Sequence, residues 1–339
     1  MKKGISIIGS GAIARLHAQA IAGIDDARLV GVCGSSKEKS ESFAKEFHCK
    51  AYESVEELLL DSETEIVNIC TPSGSHAEFA VAAANAKKHL LVEKPLAITK
   101  QQLLDIQKAV QENGVKAQVV AQLRFTPSIQ KLKKAIDEGR LGRILFADFV
   151  MKYYREPKYY SGSNWKGTWA MDGGGALMNQ GVHGVDLLQY LAGGVKSVYA
   201  HCRTLAREIE VEDTANILVE YQSGAVGVIQ ATTVAYPGGP RTIKITGTNG
   251  SVIVEDDTIV RWDVKGEVIE TNAGASKFDS GANPMAFSDE YHKLQILDLL
   301  HAIEEDKTPL VNEDEGAKPV KIILAAYESE RTGEKVELN

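Results

Sequence analysis

Three groups of residues in the 339-residue chain have the types and spacing to do chemistry. The first is Glu93-Lys94-Pro95, which follows the apolar run HLLV and so ends a core strand on a lysine, a residue that resists burial. A lysine in a partly desolvated cleft loses pKa readily, so it can exchange a proton with a substrate oxygen and stand beside negative charge developing there. Pro95 would fix the turn, and Glu93 would orient or neutralise the cationic surroundings. The second group is Gly9, Gly11 and Ala14, a G-x-G-x-x-A spacing between an apolar run and a helical pattern. The third is Asn179, His183 and Asp186, which fall within about 60° of one face at helical spacing. An amide, an imidazole and a carboxylate following Gly173-Gly174-Gly175 are too polar a set for simple core.

The elements that must position these residues change character along the chain. From residue 3 to about 122, the apolar runs GISIIG, RLVGVC, EIVNIC, HLLVE and VKAQVVAQ alternate with helical spacers such as AIARLHAQAIAG and TKQQLLDIQKAVQEN. Such alternation implies parallel strands with crossover helices on both faces, an α/β doubly wound sheet. After about residue 140, long strands joined by Ser-Gly, Asn-Gly and Lys-Gly turns require antiparallel pairing. Helices are expected at 176–193, 287–305 and 313–331, so this half is α+β with an open, mainly antiparallel sheet. The expected domains are 1–122 and 123–339, with 155–175 and 271–286 as the long loops.

In that setting the glycine spacing becomes a dinucleotide cradle. The first glycine permits a tight turn, the second lets backbone approach a pyrophosphate, and Ala14 lets helix and strand pack closely. The N–H groups of Ala12, Ile13 and Ala14 would face the phosphates at the positive end of the helix. The second strand ends in Gly34-Ser35-Ser36-Lys37, without the carboxylate that holds ribose hydroxyls in NAD-binding versions. Two hydroxyls and an ammonium suit a 2′-phosphate, so NADP(H) is the preferred cofactor and NAD(H) the alternative. Ser35 and Ser36 would cap the next helix in either case.

A net charge of −8 and a pI near 5.6 argue against a broad phosphate-backbone interface, so no nucleic-acid partner is expected. No run approaches the roughly 18 apolar residues of a membrane span. The first apolar strand, about five residues long, is too short for a signal peptide. The four cysteines form no C-x-x-C and read as free thiols of a cytoplasmic protein.

Taken together, G-x-G-x-x-A, TPSGSH at 71–76, EKP at 93–95, QLRFTPSIQ at 122–130 and GGGALMNQGVHGVDLLQYL at 173–191 resemble the glucose-fructose oxidoreductase, inositol dehydrogenase and MocA family, in its order and over nearly the whole chain. The resemblance implies an NAD(P)-dependent oxidoreductase that transfers a hydride at a ring carbinol or ketone of a sugar, sugar derivative or cyclitol. A non-catalytic sensor of the same fold that binds NADP(H) or a sugar is the alternative. By resemblance Lys94 and His183 assist proton transfer, and Asn179 stands where many members carry aspartate. Asp186 is then left either to orient the imidazole or to be directed elsewhere by helix packing. Thr71 and Pro72 match the turn beside the nicotinamide ribose, and Gln122 and Arg124 match the segment linking the domains. Glu93 and Lys94 lie at the cofactor, while His76 either lines the nicotinamide pocket or caps its helix. Trp165 and Lys166 contact substrate or pack as a lid. His183, Asp186 and His76 are too few and too scattered to support a metal site. The second-domain sheet is expected to form a homodimer or homotetramer.

Overall fold

The computed structural model describes residues 2–267 and 289–338. Two compact units divide it: residues 2–122 together with 289–317, and 123–267 together with 318–338.

In the first unit the chain alternates strand and helix: β1 (Lys3–Ile8), α1 (Ala12–Ala22), β2 (Ala27–Cys33), α2 (Lys37–Phe47), β3 (Lys50–Ala51), α3 (Val55–Leu60), β4 (Ile66–Ile69), α4 (His76–Asn85), β5 (His89–Val92), α5 (Lys100–Asn113) and β6 (Ala117–Val119). The six strands are all parallel, in the order β3-β2-β1-β4-β5-β6. All four residues of β4 are buried, Asn68 among them, as are Leu90, Leu91 and Val92 of β5, so these runs are buried throughout rather than alternating. That pattern belongs to a sheet covered on both faces. Ser36, Ser54 and Thr99 start their helices by accepting the N–H of Lys39, Glu57 and Gln102. Strand order reverses between β1 and β4, and in such sheets the crevice at the carboxyl ends beside the reversal takes the ligand.

The second unit contributes α6 (Pro127–Asp137), β7 (Ile144–Lys152), α7 (Pro157–Ser161), α8 (Val182–Ala192), β8 (Val195–Arg203), β9 (Thr214–Tyr221), β10 (Val226–Thr232), β11 (Thr242–Gly247), β12 (Gly250–Glu255) and β13 (Thr258–Val264). They are followed by α9 (Asp289–Glu304), α10 (Glu313–Thr332) and β14 (Val336–Glu337). Eight strands form one sheet in the order β13-β12-β11-β7-β10-β9-β8-β14. Along β9, Ala215, Ile217, Val219 and Tyr221 are buried while Asn216 and Leu218 are exposed, the alternation of a sheet with one covered face. Gly184 of α8 lies against the Phe149 ring of β7, where an added Cβ would come within 2.1 Å.

The structure departs from the sequence-based expectation in three places. α9 groups with the first unit, because its Ile296, Leu299 and Leu300 share a core with Ile5, Ile7, Ala14 and Ala18, so one cut near residue 122 does not separate the units. β7 and β10 pair in parallel, since the chain between them crosses over through α8, β8 and β9. The helix expected from 176 opens instead as a π-helix over Ala176–Gly181, and α8 begins only at Val182. The expected loop 271–286 lies outside the described residues.

Candidate active site

The turn after β1 explains the first glycine. Gly9 has φ +114°, and a Cβ there would lie 2.4 Å from the Cys70 carbonyl oxygen after β4. Gly11 is different: a Cβ would meet nothing within 4 Å, and no side chain caps α1 at this residue. The open space in front of the helix N-terminus is therefore what a side chain at position 11 would fill, and a pyrophosphate fits it. Ala12 is exposed, Ile13 half-buried and Ala14 fully buried against the core.

The tripeptide after β5 is held from both sides. Glu93 is 5% exposed, and its Oε1 accepts the His17 Nε2–H at 2.8 Å while Oε2 accepts the Lys94 backbone N–H at 3.0 Å. Burial works against the Glu93 charge, but the His17 bond and the charges of His17, His292 and Lys94 outweigh it and hold the carboxyl at about 2. On the other side His76 Nδ1 lies 2.7 Å from the Pro95 carbonyl and Nε2 lies 2.9 Å from the Thr71 carbonyl. Ser75, not His76, holds the cap position of α4, and the buried His76 ring faces a main-chain carbonyl at each nitrogen. Burial lowers its pKa, so the neutral ring donates to one carbonyl at a time. Lys94, half-buried, stands between the two anchored neighbours at the strand's carboxyl end. Thr71 also accepts a bond from Ser75 Oγ at 2.9 Å, and Pro72 is half-buried beside it.

His17 escaped the sequence reading, although it follows Ala14 by three residues on one helix. One ligating atom each from His17, Glu93 and His292 falls within 4.8 Å of the others, all three residues being buried. The contacts of Glu93 are those of a hydrogen-bonded carboxylate. His76 and Asp186, weighed as metal ligands from sequence, have other partners. Gln122 is 4% exposed at the end of the first unit, and its Oε1 has no hydrogen-bond partner among the described residues, so a ligand donor can complete it.

At the second strand's end, Ser36 accepts the Lys39 N–H and Gly34 N–H donates to Ser40 Oγ at 2.8 Å. Lys37, the ammonium expected at a 2′-phosphate, is 2.6 Å from Glu53 Oε1. Lys39 Nζ instead donates to Ser35 Oγ at 3.0 Å.

In the second unit three N–H groups are gathered by one residue. Glu212 accepts Gly175 N–H at 2.9 Å and Leu177 N–H at 2.8 Å on its carboxylate, and its main-chain oxygen accepts Ala176 N–H at 2.9 Å. Tyr327 Oη donates to the same carboxylate at 2.9 Å. This closeness accounts for the glycines, since a Cβ at Gly175 would lie 1.9 Å from the Glu212 oxygen and one at Gly174 2.0 Å from Tyr327 Oη. Burial raises Glu212 to about 7 against those hydrogen bonds. The segment so anchored carries Asn179, whose Nδ2 donates to Asp172 Oδ1 at 2.6 Å, and leads into His183 on α8; both residues are half-buried. Single-turn π segments in helices recur at functional sites.

Asp186 does not share the exposure of Asn179 and His183. It is 6% exposed and accepts Arg124 Nη2–H at 2.6 Å and Nε–H at 2.9 Å, a paired arrangement that commits both of its oxygens. Arg124, expected at the cofactor, is 1% exposed in this pair, with its guanidinium 4.5 Å from the centre of the Tyr190 ring. The π-helical winding before Val182 takes Asn179 off ideal helical spacing, whereas His183 and Asp186 both lie on regular α8, where Asp186 turns to Arg124. Lys166 Nζ lies 3.7 Å from the Tyr159 ring centre and Trp165 is half-buried nearby in sequence. Asp172, Tyr159, Gln180 and Glu212 were not singled out from sequence. Only the adjacency of Asp172 to the triple glycine was a visible signal.

A parallel sheet with this strand order, an open helix N-terminus after Gly9 and a lysine at a neighbouring strand end define an NAD-binding oxidoreductase. The profile for an oxidoreductase family with an NAD-binding Rossmann fold matches residues 3–121, and that for the GFO/IDH/MocA C-terminal domain matches residues 129–253. The chain belongs to the GFO/IDH/MocA family of oxidoreductases. Among solved structures it is similar to the WlbA dehydrogenase of Bordetella pertussis in complex with NADH and UDP-GlcNAcA, at 32% identity and TM-score 0.91, covering 100% of this chain and 99% of that one. It is also similar to a levoglucosan dehydrogenase in complex with NADH and levoglucosan, at 25% identity and TM-score 0.89, with 99% of each chain covered. Scyllo-inositol 2-dehydrogenase (NAD(+)) of Bacillus subtilis is 27% identical over 98% of this chain and 96% of its own. No helix among the described residues is long and apolar enough to cross a membrane.

Proposed function

We propose that the chain is a dehydrogenase or reductase acting with NAD(H) on a ring carbinol or ketone of a sugar, sugar acid or cyclitol, with Lys94 and His183 as its proton-transfer residues. The observation that carries the reading is the anchoring of Glu93 and Pro95 on either side of Lys94, which holds a lysine at the carboxyl end of β5. The nicotinamide, when bound, accepts or returns the hydride. Gly11 and the first turn of α1 would hold its pyrophosphate, and the Thr71-Pro72 turn its ribose. The Lys94 ammonium would stabilise negative charge on the reacting oxygen, and the His183 imidazole would take or give the hydroxyl proton. Scyllo-inositol and levoglucosan, which give two of the similar dehydrogenases their names, and UDP-GlcNAcA, bound in a third, all contain rings bearing several hydroxyl groups, which supports this substrate class.

At the adenosine end two features pull apart. The NADH in the similar structures and the Lys37–Glu53 pair favour NAD(H), because a carboxylate there repels a 2′-phosphate. The Lys39–Ser35 contact favours NADP(H), the preference expected from sequence. Calorimetric titration decides between them: we expect NADH to bind more tightly than NADPH, and the reverse order would restore the sequence-based preference. A further proposal is that the open face of the eight-stranded sheet, where Leu218, Phe146 and Val226 are about half exposed, is covered by a second copy of the chain.

The catalytic reading is tested by following reduced nicotinamide with scyllo-inositol, levoglucosan and UDP-GlcNAcA as substrates for NAD-dependent oxidation. Turnover of at least one is expected. Tight cofactor binding without turnover of any polyol or sugar would favour a sensor instead.

A further inference from the structure

We propose that Asp172 is a positioning residue of the reaction, fixing the orientation of the Asn179 amide so that position 179 presents a hydrogen-bond acceptor on a segment leading to His183. This rests on the dehydrogenase reading above and adds to it a residue outside the Lys94 and His183 pair. Asp172 is 1% exposed, and each carboxylate oxygen has a defined donor: Asn179 Nδ2 at 2.6 Å on Oδ1 and the Gly167 N–H at 2.9 Å on Oδ2. Its own N–H donates to the Thr168 carbonyl at 3.1 Å, so the loop locks the carboxylate's backbone as well. An ionised carboxylate only accepts, which forces the NH2 side of Asn179 toward Asp172 and turns Oδ1 the other way.

What lies on that other side is consistent in direction. Asn179 Oδ1 accepts from Gln180 Nε2 at 3.2 Å and from Tyr159 Oη at 3.5 Å, and Tyr159 Oη in turn accepts from Gln180 Nε2 at 2.9 Å. Gln180 Oε1 accepts Arg155 Nη2 at 3.3 Å, which sets the Gln180 amide in the same sense. Burial, with the nearby Asp172 charge, keeps Tyr159 a phenol and therefore able to donate. Lys166 lies over the face of the same ring. Reversing the Asn179 amide would set its NH2 against the Gln180 NH2 and its oxygen against Asp172, two repulsive contacts in place of two bonds. Asp172 thus sets donor and acceptor sense through a chain of polar groups that reaches the half-exposed loop residues. A substrate hydroxyl that displaces the long 3.5 Å Tyr159 contact would meet an oxygen at Asn179, and proton transfer is left to His183.

The test is a double-mutant cycle of Asp172→Asn, Asn179→Asp and the reciprocal double variant, assayed with NAD and scyllo-inositol, levoglucosan and UDP-GlcNAcA, beside thermal unfolding midpoints at acid and alkaline pH. Asp172→Asn should lower kcat/KM about 10- to 100-fold because the amide at 179 is free to turn. Asn179→Asp sets two carboxylates face to face, which must share a proton. Its deficit in activity and in unfolding midpoint should widen as pH rises and that proton is lost. The reciprocal variant keeps one carboxylate facing one amide, so it should exceed the product of the single effects by at least about tenfold, the mark of direct coupling. Additive kinetics, or an Asp172→Asn enzyme of normal kcat/KM, would overturn the proposal. Coupling in the unfolding midpoints without coupling in kcat/KM would overturn it too, by reducing Asp172 to a structural role. A correctly folded wild type that binds NADH but turns over no polyol or sugar overturns the dehydrogenase reading itself and any part of Asp172 in it.

Discussion

The segment around Lys94 and the segment around Asn179 reach their geometry by opposite routes. At Lys94 the neighbours are tied mostly to main chain at the ends of adjacent parallel strands, Glu93 Oε2 to the Lys94 N–H and the His76 ring to the carbonyls of Thr71 and Pro95, with the His17 side chain on Glu93 Oε1. At Asn179 the side chain is oriented by another side chain, Asp172, and the backbone beneath it by a third, Glu212, from a distant stretch of sequence. The first arrangement follows from sheet topology, and the second from specific partners. A lysine can therefore be placed by an element, whereas an amide with two nearly equal orientations needs a partner to choose one.

The comparison is sharpened most by Lys94→Ala. Its anchors are the neighbours' atoms, so the turn should persist, cofactor affinity should stay within a few-fold, and turnover should fall by roughly 10² to 10⁴. Normal turnover in a folded variant would remove Lys94 from the chemistry. Next in size is His17→Ala, which leaves the buried Glu93 carboxylate without its imidazole partner and should destabilise the protein by about 3–5 kcal/mol in urea unfolding. A loss below about 1 kcal/mol would mean that the Glu93 anchor is not held by this pair.

The smallest effect belongs to Glu212. Its carboxyl in the fold sits at about 7, above the ordinary 4.5, so the folded state holds this proton more tightly than the unfolded chain. The resulting stability is fully present below pH 4.5 and is lost as pH rises through about 7. Unfolding free energy should fall by on the order of 1–3 kcal/mol across that window, and Glu212→Gln, although destabilised overall, should lack this part of the slope. Equal slopes in both proteins would show that Glu212 does not titrate there.

Sequence reading reached the strand-end residues because parallel sheets place ligands by rule. Gly9 and Gly11 could be assigned to the turn after the first strand, Ala14 to the helix that follows and Lys94 to a strand end from the alternation of runs, whereas Thr71 was reached only through the family resemblance. It missed His17 because a histidine on an apolar helix face carries no mark of which carboxylate it meets. It did not find the Arg124–Asp186 pair, because helical periodicity describes a face, not a partner. α9 was assigned to the second unit by chain order, yet its apolar residues complete the first unit's core.

Periodicity and glycine placement are local properties of the chain, and they were enough to set the two kinds of sheet and the turns at the ends of the parallel strands. Which groups Glu93, His76, Asn179 and Asp186 bond to was settled by packing between distant segments. Hydrogen bonds between side chains far apart in sequence depend on distances of a few tenths of an ångström, and residue types in order do not encode those distances.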